Sequence, residues 1–197
     1  MRTSVIYHFT FIAFLLLGFN SKVLAKSEKP IITYIENSTI SISFHQWVSS
    51  EVEIKLIDLQ GEVLMSDDIN TKDIRVRNYN LRNLPYGTYI LEIDDNQKVI
   101  TTTLSIVGKN IKIMHETILY KPTIMYQNKR WKFSLLALGR NVSTKIIDKE
   151  GNIVFDEEFK DFGSIHRSYD LSKLIKGEYK LLVYIGDKVF HHGYIMI

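Results

Sequence analysis

No cysteine occurs anywhere in the 197 residues. That excludes disulfides, thiolate metal sites, a cysteine nucleophile and a lipid anchor on cysteine, so stability has to come from packing. Charge of one sign is lacking too. Basic and acidic residues number 25 and 22 and are interspersed, giving a formal charge of +3. Such a chain has no electrostatic footprint for nucleic acid. No stretch of useful length shows helical periodicity. The nucleophile elbow G-x-S-x-G, a P-loop, H-E-x-x-H and a dinucleotide fingerprint are all missing, and with them the familiar hydrolase, nucleotidyl and zinc-protease classes. We therefore expect neither an enzyme nor a cofactor.

What is present begins with an apolar run from Ser4 to Phe19 behind Arg2, followed by Val23-Leu24-Ala25. The run is short for a membrane span and is broken by His8 and Thr10. Together with the small residue before Lys26 it reads as a secretory signal over residues 1–25, cleaved before Lys26. Removing it takes away Arg2 and Lys22 and no acid, so the formal charge falls by two, from +3 to +1. The mature chain is expected to be exported, to the periplasm, the outer cell surface or the medium, with no stable membrane insertion.

The rest is one unit written twice. Val52–Ile106 aligns on Val142–Met196 without a gap, with about 14 of 55 positions identical, among them Lys55/Lys145, Asp58/Asp148, Gly61/Gly151, Tyr79/Tyr169 and Lys98/Lys188. Upstream, Lys29-Pro30, Tyr34 and Asn37 match Lys121-Pro122, Tyr126 and Asn128 after small length changes. Two copies cannot make a solenoid, so each is expected to be a small domain with its own core. The division reads 26–107 for the first module and 121–197 for the second. Residues 108–120 between them are either a linker or an extra edge strand.

Within each copy apolar residues alternate with polar ones, the period of a half-buried strand. Candidate strands lie at 31–35, 39–46, 52–58, 62–66, 73–79, 87–94 and 98–106, then at 123–127, 130–137, 142–148, 152–157, 164–169, 178–185 and 188–196. Seven short strands with turn signals between them predict an antiparallel β-sandwich of the immunoglobulin or fibronectin-III kind in each module. Asp58-Leu-Gln-Gly61 and Asp148-Lys-Glu-Gly151 place Asp first and Gly fourth, as in a type I turn. The most distinctive stretch is L-x-x-L-x-x-G-x-Y-x-L, at Leu81–Leu91 and again at Leu171–Leu181. Its glycines, Gly87 and Gly177, are expected at positive φ. Tyr89 and Tyr179 are expected to point inward, either as plain packing or with the hydroxyl bonded back to the preceding loop, as in a tyrosine corner.

The order of strand, D-x-x-G turn, strand, then L-x-x-L-x-x-G-x-Y-x-L and a final strand opening on lysine resembles the immunoglobulin-like modules that Bacteroidota secrete. Type IX secretion C-terminal sorting domains are among them, as are short secreted proteins of unknown function. The resemblance covers nearly all of the mature chain, twice. It departs from a sorting domain in having no large cargo in front and in ending His192-Gly-Tyr-Ile-Met-Ile197, without a basic tail.

Few residues suggest a site. His191-His192 are adjacent on a strand, point to opposite faces and cannot both ligate one metal. His45, His115 and His166 have no ligand spacing. The acidic pairs Asp67-Asp68 and Glu157-Glu158 are read as solvated strand ends rather than as calcium ligands. No metal site is expected. The remaining candidate is an apolar patch on the outer face of the second module, formed by Leu182, Tyr184, Val189, His191, Ile195 and Ile197, where the first module is more polar. Such patches mark contacts: either the segment from Ile111 to Tyr120 or the first module covers it, or another protein, a glycan or a second copy docks there with Tyr184 as the anchor. The sequence thus favours a secreted, non-catalytic binding or structural protein over a sorting or export module, and that over an unrecognised hydrolase accessory or enzyme.

Overall fold

The computed structural model describes residues 29–197; the signal-peptide reading falls outside them. Fifteen strands and no helix make up the described chain. They are β1 (Ile31–Tyr34), β2 (Thr39–Ser43), β3 (Glu51–Ile57), β4 (Val63–Asn70), β5 (Val76–Asn80), β6 (Gly87–Asp94), β7 (Lys98–Val107) and β8 (Asn110–Tyr120), then β9 (Thr123–Gln127), β10 (Arg130–Leu136), β11 (Val142–Asp148), β12 (Ile153–Phe159), β13 (Ser164–Asp170), β14 (Glu178–Ile185) and β15 (Lys188–Met196). All pairings are antiparallel.

In the first copy a sheet of order β1-β2-β5 accompanies one of order β4-β3-β6-β7-β8. The second copy repeats this with β13-β10-β9 and β12-β11-β14-β15. The alternation sends one set of side chains inward, and the two copies have separate cores. Ile40, Phe44, Leu56, Leu91 and Leu104 belong to the first, and Trp131, Phe133, Phe159, Leu181 and Val183 to the second.

Residues 108–120 resolve as the extra strand. Gly108, at φ +64, turns the chain, and β8 pairs along the whole of β7, from Val107↔Asn110 to Lys98↔Tyr120. Ile111 is buried in the first core, whereas Leu119, eight residues on, packs against the second.

The repeated motifs now have causes. Gly61 and Gly151 sit at φ +88 and +87 and donate to Asp58 and Asp148 carbonyls. The Asp148 carboxylate accepts from the Asn152 backbone and side-chain amides, which holds its pKa below the usual carboxylate value. Asn37-Ser38 and Asn128-Lys129 all have positive φ, which gives the β1–β2 and β9–β10 hairpins their two-residue turns of type I′ and explains why asparagine recurs there. In L-x-x-L-x-x-G-x-Y-x-L the first leucines, Leu81 and Leu171, are buried, and each accepts the amide of the second. The tyrosines fold back: Tyr89 donates to the Pro85 carbonyl at 2.9 Å and Tyr179 to the Ile175 carbonyl at 2.8 Å, a corner built twice.

Gly87 and Gly177 do not have positive φ. The tyrosine ring lies over each, and a Cβ at either would sit 3.7 Å from it, an ordinary contact, so neither φ nor space requires glycine there. Gly87→Ala and Gly177→Ala are accordingly expected to change stability by less than about 0.5 kcal/mol, whereas Gly61→Ala and Gly151→Ala cost about 1 kcal/mol or more. Urea midpoints of the four variants check this.

Candidate functional site

The outer face of β14 and β15 carries the predicted patch. Leu182 stands between Lys145 and His191 in the ladder, and Tyr184 between Ser143 and Val189. Val189 and His191 are exposed, whereas Leu182 and Tyr184 are half-buried. Lysines lie over the aromatic rings, Lys145 at 5.4 Å from Tyr184 and Lys180 at 5.5 Å from Tyr194. At such distances an ammonium and a ring attract through the quadrupole.

Ile195 and Ile197 are not part of this face. The register shifts between the pairs Tyr179↔Ile195 and Leu181↔His192, so β15 has an extra residue opposite Lys180. The bulge reverses the alternation beyond it. Ile195 and Ile197 therefore turn inward against the second core, and Tyr194 takes an exposed place. The corrected face is Leu182, Tyr184, Val189, His191 and Tyr194. Gly193 inside a strand pattern was the available signal.

The histidines stay apart in role. His192 faces Trp131 edge-on with ring centres 6.3 Å apart, and His191 is on the other side of the strand. His166 shares a 3.2 Å contact with the Ser134 hydroxyl, and His45 and His115 are exposed.

The acidic pairs are not solvated ends throughout. Asp67 accepts from both Arg77 Nε and the Tyr79 hydroxyl at 2.9 Å. Ninety residues later Glu157 accepts from Arg167 Nε at 3.0 Å and the Tyr169 hydroxyl at 3.1 Å. Each set joins the edge strand of one sheet to that of the other, β4 to β5 and β12 to β13, and so clasps one side of each copy. Sequence reading noted the tyrosines but not Arg77/Arg167, although that identity was there to be read. The more exposed member of the second pair, Glu158, reaches Lys160 at 3.3 Å. Near Asp68 the carboxylates of Glu51, Glu53 and Asp94 line a shallow cleft with Lys121. There Glu53 pairs with Lys55 and Asp94 with Lys121. Among the described residues no group of three or more histidines and carboxylates is placed to hold a metal ion.

Burial and the clasp perturb the tyrosines. The Tyr79 hydroxyl is pushed up, first by burial and then by Asp67, and Tyr169 is pushed up to about 12, again mainly by burial. An unfolded tyrosine loses its proton near pH 10, so between about 10 and 12 the folded chain binds more protons and its stability falls as pH rises. The contribution is complete below about pH 10, and the expected decline is at most about 1.4 kcal/mol per pH unit for Tyr169. Denaturant midpoints across that range, with Tyr169→Phe flattening the slope, test the assignment.

The copies touch at the start of the last strand. Lys188 donates to Glu92 of β6 at 2.7 Å, while its counterpart Lys98 lies over Trp47 at 4.7 Å. The recurring lysine thus serves a contact between copies in one case and a core in the other.

Residues 36–107 match the family described as the secretion system C-terminal sorting domain. The first copy is therefore similar to that family, and the resemblance to secreted Bacteroidota modules holds. The match falls on the first copy rather than on the carboxyl-terminal one. No curated protein matches the chain. Solved structures that align include a biofilm-associated protein BSP domain, 14% identical over 86% of this chain and 29% of that one, with a TM-score of 0.28. Dimeric latent PorU from Porphyromonas gingivalis is 12% identical over 91% of this chain and 21% of that one, TM-score 0.28. The chicken interferon gamma receptor alpha chain is 11% identical over 85% and 95%, TM-score 0.28. The chain spans less than a third of the length of the first two.

Proposed function

We propose that this is an exported, non-catalytic binding or structural protein of two seven-stranded immunoglobulin-like sandwiches, the first extended by β8, that engages a protein or glycan at the cell surface. The observation that carries the reading is where the two buried tyrosine hydroxyls find their partners. Asp67, Arg77 and Tyr79 bond one another, and Glu157, Arg167 and Tyr169 do the same at equivalent places. A site for chemistry would differ between copies or open to a cleft; a repeated clasp fits a scaffold. The contact surface is the face of Leu182, Tyr184, Val189 and His191, with Tyr194. Leu182→Glu with Tyr184→Ser is expected to abolish binding of the purified chain to the surface of its own cells while leaving the melting temperature within a few degrees. Unchanged binding removes the face from the proposal, and a large drop in melting temperature makes it structural.

The match of residues 36–107 to a sorting-domain family favours a second reading, a role in export itself. A reporter joined to the whole mature chain, delivered to the surface of a type IX secretion host, supports it. Retention of the reporter in the periplasm counts against it.

A further inference from the structure

The outer face of the first copy is closed where that of the second is open. Glu92, Asp94, Val99 and Thr101 stand ninety residues before Leu182, Tyr184, Val189 and His191 and hold the same places in the repeat. Yet Val189 is 49% exposed and Val99 only 1%. Val99 belongs to neither core. In the ladder it lies between Asp94 and Leu119, and Leu119 packs against the second core. What shields Val99 is therefore the joint between the copies.

Two lysines of the second copy hold this joint. Lys188, which opens β15, donates to Glu92 at 2.7 Å, and Lys121, just before β9, pairs with Asp94. The Lys121 amide also donates to the Gln97 carbonyl in the β6–β7 turn at 2.7 Å. Beside them in the ladder Glu53 and Lys55 bind each other, so the ion pairs of Glu92 and Asp94 are with the second copy. The Glu92 side chain is 12% exposed, and a carboxylate so enclosed is costly to leave without its cation. Leu182 and Tyr184, at the corresponding places of the second copy, have no charge to offer a lysine.

We propose that the second copy is an autoinhibitory cover on the outer face of the first, latched by Lys188–Glu92 and Lys121–Asp94 and hinged at Lys121-Pro122 between β8 and β9. Opening parts Leu119 from the second core and bares Val99 on an acidic face made by Glu53, Glu92 and Asp94. Ion pairs at the rim of a joint are screened, so the cover opens more often as salt shortens the screening length from about 10 Å at 0.1 M to about 3 Å at 1 M. The device concerns the first copy's face and stands whether or not the second copy's own face binds a partner.

The absence of cysteine makes the test direct, since a single introduced thiol is the only one in the chain. In the whole mature protein a Val99→Cys thiol is expected to react with a maleimide slowly at low salt and about tenfold faster at about 1 M salt, read against a Val189→Cys thiol that reacts fast at both. Lys188→Glu, which sets two carboxylates against each other, is expected to speed the Val99→Cys reaction at low salt by a similar factor, whereas Lys188→Arg leaves it slow. A Val52→Cys thiol, buried in the first core, is expected to stay protected throughout and so separates opening from unfolding. Three results overturn the proposal: a Val99→Cys thiol as reactive as Val189→Cys at low salt, a rate that neither salt nor Lys188→Glu raises, or a Val52→Cys thiol that reacts in step with it. The salt series needs no second substitution and decides the matter even where Lys188→Glu fails to fold.

Discussion

Replacing Trp131 with alanine is expected to unfold the second copy and leave the first folded. Trp131 is fully buried, the largest side chain that is, and it meets Tyr126 and His192 edge-on at 6.3 Å. Removing such a group costs about 3–5 kcal/mol, a large share of what a domain of this size has. The loss stays local because Trp131 belongs to a core separate from that of the first copy. Leu91→Ala is the mirror experiment, costing about 2–5 kcal/mol in the first core. The chain has two tryptophans, so in Trp131→Ala the remaining fluorescence comes from Trp47 and reports the first copy directly. Two melting transitions, one displaced by each variant, are expected. A single transition displaced by both would mean that β8, with Ile111 in one core and Leu119 against the other, fuses the copies into one cooperative unit.

The strands were legible because burial in a sandwich imposes period two. β6, β9, β11, β14 and β15 begin and end where alternation and turn residues place them. β8 was ambiguous for a physical reason: Ile111, Ile113 and Ile118 pack on the first core but Leu119 on the second, so its alternation does not serve one copy alone. The bulge in β15 was not legible from apolar pattern, because one extra residue reverses inward and outward without changing composition. That is why Ile195 and Ile197 were assigned to the wrong face. At Gly87 the recurrence reads as a backbone requirement, but the backbone there is not at positive φ and a Cβ would make only an ordinary contact with the ring of Tyr89. The clasp was half visible. An identical tyrosine shows in an alignment of the copies, but its partner changes from Asp67 to Glu157, and a conservative exchange of that kind is easily passed over.

That exchange sets up the second large effect, in which Asp67→Leu is expected to destabilise the first copy by about 2 kcal/mol and Glu157→Leu the second by about 1 kcal/mol. Both remove the acceptor for a tyrosine hydroxyl and an arginine. The arginine side chains are more than 40% exposed, so solvent replaces most of what they lose. The tyrosines cannot move into water, since Tyr79 and Tyr169 are 7% and 8% exposed. What differs is the residue beneath. Thr144, buried in β11, shares a 2.8 Å hydrogen bond with the Tyr169 hydroxyl, whereas the matching position in the first copy is Ile54, which has nothing to offer. Glu157→Leu therefore leaves Tyr169 one partner, and Asp67→Leu strips Tyr79 of its carboxylate acceptor. Thr144→Val should by itself cost less than about 1 kcal/mol, but combined with Glu157→Leu it should cost more than the two separately, because only the double variant leaves the hydroxyl buried and unpaired. Strict additivity in that cycle would show that the two partners act independently and that Thr144 does not substitute for the carboxylate.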